Sequence, residues 1–202
     1  MNKGLIIYIS LILCSWVVMC TLGYFFTDIK LWVSIIGVIG STVAVIAVDG
    51  GLAHLSHKLQ ARINPFSRFF NVTKRQKDIL SKMGVRKLKN YLPDLGILVK
   101  FPKNKIADPK SKEYVYAYIL ESCDGERGHI WGAFFGFIIV FIFPPVLVPL
   151  WYQYWLSVSI PVACVNFVLC LLPSIALRYN RYALTQIYKR LDSREQRTQE
   201  NS

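Results

Sequence analysis

Residues 121–131 read Glu-Ser-Cys-Asp-Gly-Glu-Arg-Gly-His-Ile-Trp and lead directly into an apolar segment that begins at Gly132. A helix turns by about 100° per residue, so Glu121, Glu126 and His129 would share one broad face if this stretch is helical. The two glycines of the stretch weaken that helix prediction. Ionisable side chains at the mouth of a membrane span are costly unless they are solvated, paired or used in chemistry. The stretch is therefore the first candidate for a functional site.

The composition is that of a small basic membrane protein. The chain has 202 residues, of which 53% are hydrophobic, and a net charge of +12. Its mean hydropathy is +0.36 and its pI is near 9.6. A soluble domain of this length would bury one core and would not carry several apolar runs of about twenty residues. We attribute the positive charge to membrane topology and anionic headgroups, because no recognition motif for nucleic acid accompanies it. Nucleic acid is not expected as a partner.

Four apolar runs predict four transmembrane helices. The runs are residues 4–26, 31–48, 132–151 and 154–177. Each is about long enough to cross a bilayer at 1.5 Å per residue. Three prolines in the third run predict a kink or a broken helix, and a re-entrant hairpin is the alternative there. The predicted fold is an all-α integral membrane protein with an N-terminal hairpin (1–48), a polar loop (49–129), a C-terminal hairpin (130–177) and a tail (178–202).

The basic residues predict the orientation of these spans. The loop of residues 49–129 carries sixteen of the 24 lysines and arginines. An even number of spans places this loop and both termini on one side, which leaves only Lys30 on the other side. The positive-inside rule makes the basic side cytoplasmic. We therefore predict a multi-pass protein of the cell membrane with both termini in the cytoplasm.

The tail predicts an amphipathic helix that carries a second polar group. Residues 178–186 read Arg-Tyr-Asn-Arg-Tyr-Ala-Leu-Thr-Gln. On a helical wheel Asn180 falls in the middle of an apolar face formed with Leu184 and Ile187. A buried amide without a partner costs about 1 to 3 kcal/mol, so Asn180 needs one. The tail and the stretch 121–131 border the same hairpin, and they can meet in space.

These motifs resemble one known family. The pattern is Glu121-x4-Glu126-x2-His129 before a span, then Arg178-Tyr-Asn-Arg181-x2-Leu184-Thr-Gln186 after a hairpin. It is similar to that of the glycosyl-4,4'-diaponeurosporenoate acyltransferases, which are small membrane proteins of carotenoid glycolipid synthesis. The basic segment from Val85 to Asp94 adds to the resemblance. The likeness covers roughly the last two thirds of the chain and is most specific in the tail.

The resemblance implies transfer of a fatty acyl group to a hydroxyl of a glycolipid or another lipid-linked acceptor. A sugar hydroxyl is a poor nucleophile, and His129 has the right ordinary pKa to act as its general base. Glu126 or Glu121 would orient the imidazole, and Asn180 or Arg181 would donate to the developing oxyanion. No cofactor is expected, because acyl-CoA or another acyl donor enters as a co-substrate. The expected substrate-binding residues are Arg127, Arg178, Arg181 and Gln186. The guanidinium groups of the three arginines suit a donor with phosphates.

Other interpretations stay open at the level of sequence. Glu121, Glu126 and His129 could form an interfacial salt-bridge set with the nearby arginines. The chain would then be a membrane scaffold or partner subunit whose basic loop binds anionic lipid. The Glu126-x2-His129 spacing also suits a metal-dependent hydrolase, but a single such motif lacks a second set of ligands, so no metal ligand is assigned. His54 and His57 are expected to lie at the interface without a catalytic role.

Overall fold

The computed structural model describes residues 3–92, 106–138 and 151–200. These residues form helices and turns without any strand, which confirms the all-α prediction. The helices are α1 (Lys3–Phe26), α2 (Leu31–Lys58), α3 (Lys74–Lys82), α4 (Val85–Leu88), α5 (Lys112–Phe135), α6 (Trp151–Tyr154) and α7 (Ile160–Glu200). Single 3-10 turns lie at Gln60–Arg62 and Gly136–Ile138, and a π-helical turn at Trp155–Ser159 joins α6 to α7.

Within the described residues, three helices are long and apolar enough to cross a membrane. They are Gly4–Phe26, Leu31–Lys58 and the continuous helix Trp155–Glu200. The third predicted span, residues 132–151, lies mostly outside the described residues, so a count of four spans stays a prediction. Large apolar side chains point outward along α1 and α2, among them Val17 at 67%, Phe26 at 80% and Ile36 at 62% exposed. Such a surface is unfavourable in water and is satisfied by lipid.

The N-terminal helices pack as an antiparallel pair. The indole Nε1 of Trp16 on α1 donates to Thr42 Oγ1 on α2 at 3.1 Å. Near the connecting turn, a methyl group built on Gly23 would lie 3.0 Å from Ser34 Oγ. On another face of α2, a methyl group on Gly37 would lie 2.4 Å from the ring of Tyr154. Gly37 thus permits a close helix approach.

Helix α5 runs antiparallel to α7 over most of its length. Its first turn contacts the far end of α7, where Lys112 Nζ lies 2.7 Å from an Asp192 carboxylate oxygen. Its last turn contacts the apolar half of α7, where a methyl group built on Gly132 would lie 3.3 Å from Cys170 Sγ. The tail is therefore a continuation of α7, which at 41 residues is about 60 Å long. Because tertiary packing favours α5, the glycines of residues 121–131 do not break it.

The polar segment after α2 folds back onto α5 and α7. Thr73 caps the start of α3 with a reciprocal capping box. The Thr73 side chain accepts from the backbone N–H of Gln76, and the Gln76 side chain accepts from the backbone N–H of Thr73. Gly84 separates α3 from α4 with a φ of 80°, a left-handed conformation that glycine adopts without strain. Phe70 and Val85 are buried, at 8% and 2% exposed. This segment covers one side of the site described next.

Candidate functional site

Helix α5 carries two polar clusters that face different neighbours. One cluster centres on Glu126 and faces α7, whereas the other centres on Asp124 and faces the end of α2. Glu126 and Asp124 are 1% and 6% exposed, so both carboxylates are buried. Buried carboxylates require partners, and each cluster supplies them.

Glu126 binds two arginines of α7. Its Oε1 accepts from Arg178 at 2.8 Å, and its Oε2 forms an ion pair with Arg181. The two arginines are three residues apart on α7, so both guanidinium groups reach the same side of α5. Arg178 is 27% exposed whereas Arg181 is 1% exposed. The sequence-predicted residues Glu126, Arg178 and Arg181 are therefore brought together.

The remaining donors of these arginines bind backbone oxygens. Arg181 donates to the carbonyls of Phe70 and Ser122, each at 3.1 Å, and Arg178 donates to the carbonyl of Phe69 at 3.0 Å. The Arg181 guanidinium also lies over the Phe70 ring at 5.4 Å from its centroid. These contacts attach the segment around Phe69 and Phe70 to α5 and α7.

Asp124 binds the last turn of α2. Its Oδ1 accepts from Ser56 Oγ at 2.5 Å and from Arg127 at 3.3 Å, and its Oδ2 lies 3.3 Å from His57 Nδ1. Arg127 donates in addition to Ser56 Oγ at 3.0 Å and to the Ser56 carbonyl at 2.6 Å. The Arg127 guanidinium stacks on Trp131 at 5.1 Å. Arg127 is thus engaged with α2, on the other side of α5 from Arg178 and Arg181.

Glu121 also belongs to the α2 side. Its Oε2 accepts from Gln60 Nε2 at 2.8 Å. One ligand atom each of His57, Glu121 and Asp124 lies within 4.8 Å of the others, which is a group able to hold a metal ion. Glu121 and Glu126, which the sequence places on one broad face, therefore take partners from different helices.

His129 lies one helical turn after Glu126 and is half-buried. Its ring makes no hydrogen bond to any residue within the described parts of the chain. Burial lowers the pKa of His129 below its ordinary value of 6.5. Its imidazole is therefore neutral near pH 7, which is the form that accepts a proton. Burial also raises the pKa of the nearby Cys123 thiol to about 12, which keeps that thiol protonated.

Asn180 and Gln186 lie further along α7. The side-chain oxygen of Asn180 accepts from Lys89 Nζ at 3.4 Å, so the amide has the partner that its position requires. Gln186 is half-buried and lines a basic groove on α7. The other residues that line this groove are Lys189, Arg190, Ser193, Arg194 and Arg197.

Sequence reasoning missed two groups of polar residues. The first is Ser56, His57 and Asp124; the only available signal was that Asp124 follows Glu121 by three residues and shares its side of a helix. The second lies among the apolar helices. There Cys170 Sγ lies 3.4 Å from Asp49 Oδ2, and Asn166 Nδ2 lies 3.5 Å from Asp49 Oδ1. Asp49, which follows the second apolar run, therefore accepts hydrogen bonds from side chains of α7.

A sequence model of the glycosyl-4,4'-diaponeurosporenoate acyltransferase family matches residues 65–190. The chain belongs to this family. The matched region contains α3, α4, α5 and most of α7, including Glu126, Arg178 and Arg181. Family membership makes the chain an acyltransferase by class, as the sequence motifs predict. No curated protein and no solved structure matches the chain.

Proposed function

We propose that this protein transfers a fatty acyl group from an acyl thioester to a sugar hydroxyl of a membrane glycolipid. The reaction takes place at the polar end of the helix bundle, where α2, α5 and α7 meet. One observation carries the proposal: the family match spans the residues of both helices that join in the buried cluster of Glu126, Arg178 and Arg181. His129 lies one turn beyond that cluster, next to the apolar end of α5.

His129 is the proposed general base. Its neutral imidazole takes the proton of the acceptor hydroxyl while the hydroxyl oxygen attacks the acyl carbon. The new carbon–oxygen bond forms, the carbon–sulfur bond of the donor breaks, and the thiolate leaves with the electron pair. The proton on His129 then passes to the thiolate or to water. A half-buried base beside apolar helices suits an acceptor that is itself a lipid.

Glu126 is proposed as a positioning residue. Both of its carboxylate oxygens bind arginines, so it is not placed to orient the imidazole of His129 directly. Instead it fixes α5 against α7, and this sets the direction in which His129 points. Arg181, which is almost fully buried, serves the same purpose.

Arg178 is the proposed contact to the acyl donor. It is partly exposed, and it lies beside Arg181 on α7, with Lys89 bound nearby to Asn180. Within this cluster the two guanidinium groups of Arg178 and Arg181 share the one carboxylate of Glu126, which leaves excess positive charge. This excess favours a donor with phosphate groups, for example acyl-CoA. The amide of Asn180 and the side chain of Gln186 are the proposed additional contacts to substrate, with Glu121 and Arg127 on the α2 side.

The orientation in the membrane belongs to the same proposal. The polar segment after α2 and the far half of α7 carry most of the basic residues, so we place this end of the bundle in the cytoplasm. A soluble acyl donor would reach Arg178 from that side. The lipid-linked acceptor would reach His129 from the bilayer.

Comparative lipidomics tests the function. The host is analysed with the gene deleted and then with the deletion complemented by the wild type, His129→Ala or His54→Ala. His54 is an exposed histidine of α2 outside the matched region, so it is the matched control. We expect the deletion and His129→Ala to lose one acylated lipid and to accumulate its hydroxyl precursor, and His54→Ala to restore the wild-type profile.

Two outcomes of that experiment would contradict the proposal. If deletion leaves the lipid profile unchanged although the wild-type protein is normally present in the membrane, the chain is not an acyltransferase of the host's lipids and a scaffold becomes the better account. If deletion removes an acylated lipid but His129→Ala restores it, the activity stands and His129 is not its base.

A further inference from the structure

We propose that His57, Glu121 and Asp124 form a binding site for one divalent transition-metal cation. One ligand atom from each side chain lies within 4.8 Å of the others, in an arrangement made by the last turn of α2 and the middle of α5. The acyl transfer proposed above does not require a metal. Glu121 is shared with it as a proposed substrate contact, but His129 and the cluster of Glu126, Arg178 and Arg181 supply none of the three ligands. Metal binding and acyl transfer are therefore tested by different measurements.

The three ligand side chains are open to solvent on the side of His57 and enclosed by protein on the side of Asp124. Glu121 and Asp124 are three residues apart on α5 and project in similar directions. The side chain of Asp124 is only 7% exposed, whereas that of His57 is 64% exposed. A cation held here would have protein on the Asp124 side and free coordination positions on the His57 side. Three protein ligands with an open position are typical of metal sites that also bind water or a substrate.

Neighbouring side chains hold the carboxylates in place. Ser56 and Arg127 both donate to Oδ1 of Asp124, so Oδ2 is the oxygen that faces His57. Gln60 donates to Oε2 of Glu121, which leaves Oε1 as the second acceptor of that side chain. Outer hydrogen bonds of this kind fix the direction of metal ligands and commonly raise metal affinity by about 10- to 100-fold.

The charges of the cluster also favour a cation. Glu121 and Asp124 bring two carboxylates close together, and Arg127 balances one of them at 3.3 Å from Asp124. The carboxylate of Glu121 adds a second negative charge, which a bound divalent cation would balance. An imidazole nitrogen with two carboxylate oxygens suits Zn²⁺ or Mn²⁺ better than Mg²⁺ or Ca²⁺, because the last two prefer oxygen ligands alone.

Metal binding to the purified full-length protein tests the proposal. The protein is prepared in detergent with an affinity tag that contains no histidine, loaded with Zn²⁺ or Mn²⁺, desalted and analysed by elemental mass spectrometry. Titration calorimetry with the same two ions gives the affinity. We expect about one ion per chain for the wild type and an affinity at least about 10-fold weaker for His57→Ala and Glu121→Gln.

The variants are chosen so that folding does not decide the result. His57 is exposed and Glu121 is half-buried, so both substitutions leave the buried Asp124 with its bonds to Ser56 and Arg127. His54→Ala removes an exposed histidine one turn earlier on α2 and is expected to bind metal as the wild type does. Absence of saturable binding of either ion to the wild type would overturn the proposal. Unchanged binding in both His57→Ala and Glu121→Gln would overturn it equally.

Discussion

Glu126 on α5 and Arg181 on α7 form an ion pair in which both side chains are almost fully buried, at 2% and 1% exposed. Removing two charges from water is costly, and the pair is stable only if further bonds satisfy the remaining lone pairs and N–H groups. Arg178 on the second carboxylate oxygen and the carbonyls of Phe70 and Ser122 provide those bonds. The pair therefore joins α5, α7 and the segment that precedes α3.

Removal of the Glu126 carboxylate is expected to destabilise the protein strongly. Glu126→Ala leaves the buried Arg181 without its counter-charge, and breaking a buried ion pair in this way costs about 3 to 5 kcal/mol. The measurement is the midpoint of thermal unfolding in detergent micelles. Glu113→Gln, an exposed carboxylate in the first turn of the same helix, is the control and is expected to have little effect.

A double variant distinguishes the loss of the ion pair from the cost of the unpaired Arg181 charge that Glu126→Ala leaves in the interior. Glu126→Leu combined with Arg181→Leu removes both charges, and we expect it to unfold at a higher temperature than Glu126→Ala. Equal unfolding midpoints for Glu126→Ala, Glu113→Gln and the wild type would show that the ion pair does not hold the two helices together.

Two glycines of the α5–α7 contact are expected to be intolerant of alanine. A methyl group on Gly136 would lie 2.4 Å from Asn166 Nδ2, and one on Gly132 would lie 2.8 Å from Asp49 Oδ1. Either substitution forces the side chain of Asn166 or Asp49 to move and to weaken its hydrogen bonds between helices, which typically costs about 1 to 3 kcal/mol. Gly50→Ala is the matched control, because nothing lies within 4 Å of its methyl position and alanine favours a helix. An unfolding midpoint for Gly132→Ala as high as that for Gly50→Ala would contradict this packing.

The turn between α3 and α4 is expected to depend on glycine for a different reason. Gly84 has a φ of 80°, and nothing lies within 4 Å of its methyl position, so only backbone strain opposes a side chain. Gly84→Ala should cost about 1 to 2 kcal/mol, and Gly84→Asn less, because asparagine tolerates this conformation. Limited proteolysis of the segment between α2 and α5 measures its local stability. The prediction fails if alanine and asparagine give the same protection as glycine.

The pH dependence of activity is expected to report His129. Burial lowers the pKa of His129 below 6.5. On acidification its imidazole therefore stays neutral, and able to accept a proton, until the pH has fallen below 6.5. The pH dependence of kcat/KM reports the free enzyme, so its acid limb should lie below pH 6.5. His129→Gln should abolish turnover while the protein stays folded. An acid limb above pH 6.5 in a pH–rate profile of the purified enzyme would exclude this histidine as the base.

The same shift predicts the sign of the pH effect on stability. The folded state binds a proton at His129 less readily than the unfolded chain, so the contribution of this group is fully present above about pH 6.5 and is lost as the pH falls below that value. The unfolding midpoint of the wild type should decrease on acidification by more than that of His129→Gln. Parallel decreases in the two proteins would show that other groups cause the loss.

The class of the fold follows from the apolar runs alone. Residues 4–26 and 31–48 are apolar for long enough to form spanning helices whatever they pack against, because in a bilayer the backbone must satisfy its own hydrogen bonds. The motif residues Glu126, Arg178 and Arg181 were likewise found without a structure, since charges beside apolar spans stand out and resemble a family pattern. Whether residues 132–151 complete a fourth span is a prediction that lies mostly outside the described residues.

The partner of each polar side chain depends on how the helices pack. A sequence gives the angle of a residue around its own helix but not which neighbour faces that angle. Glu121 and Glu126 could therefore be placed on one broad face, yet the first binds Gln60 after α2 and the second binds arginines of α7. His57 and Asp124 are 67 residues apart, and only the packing of α2 against α5 brings them into contact.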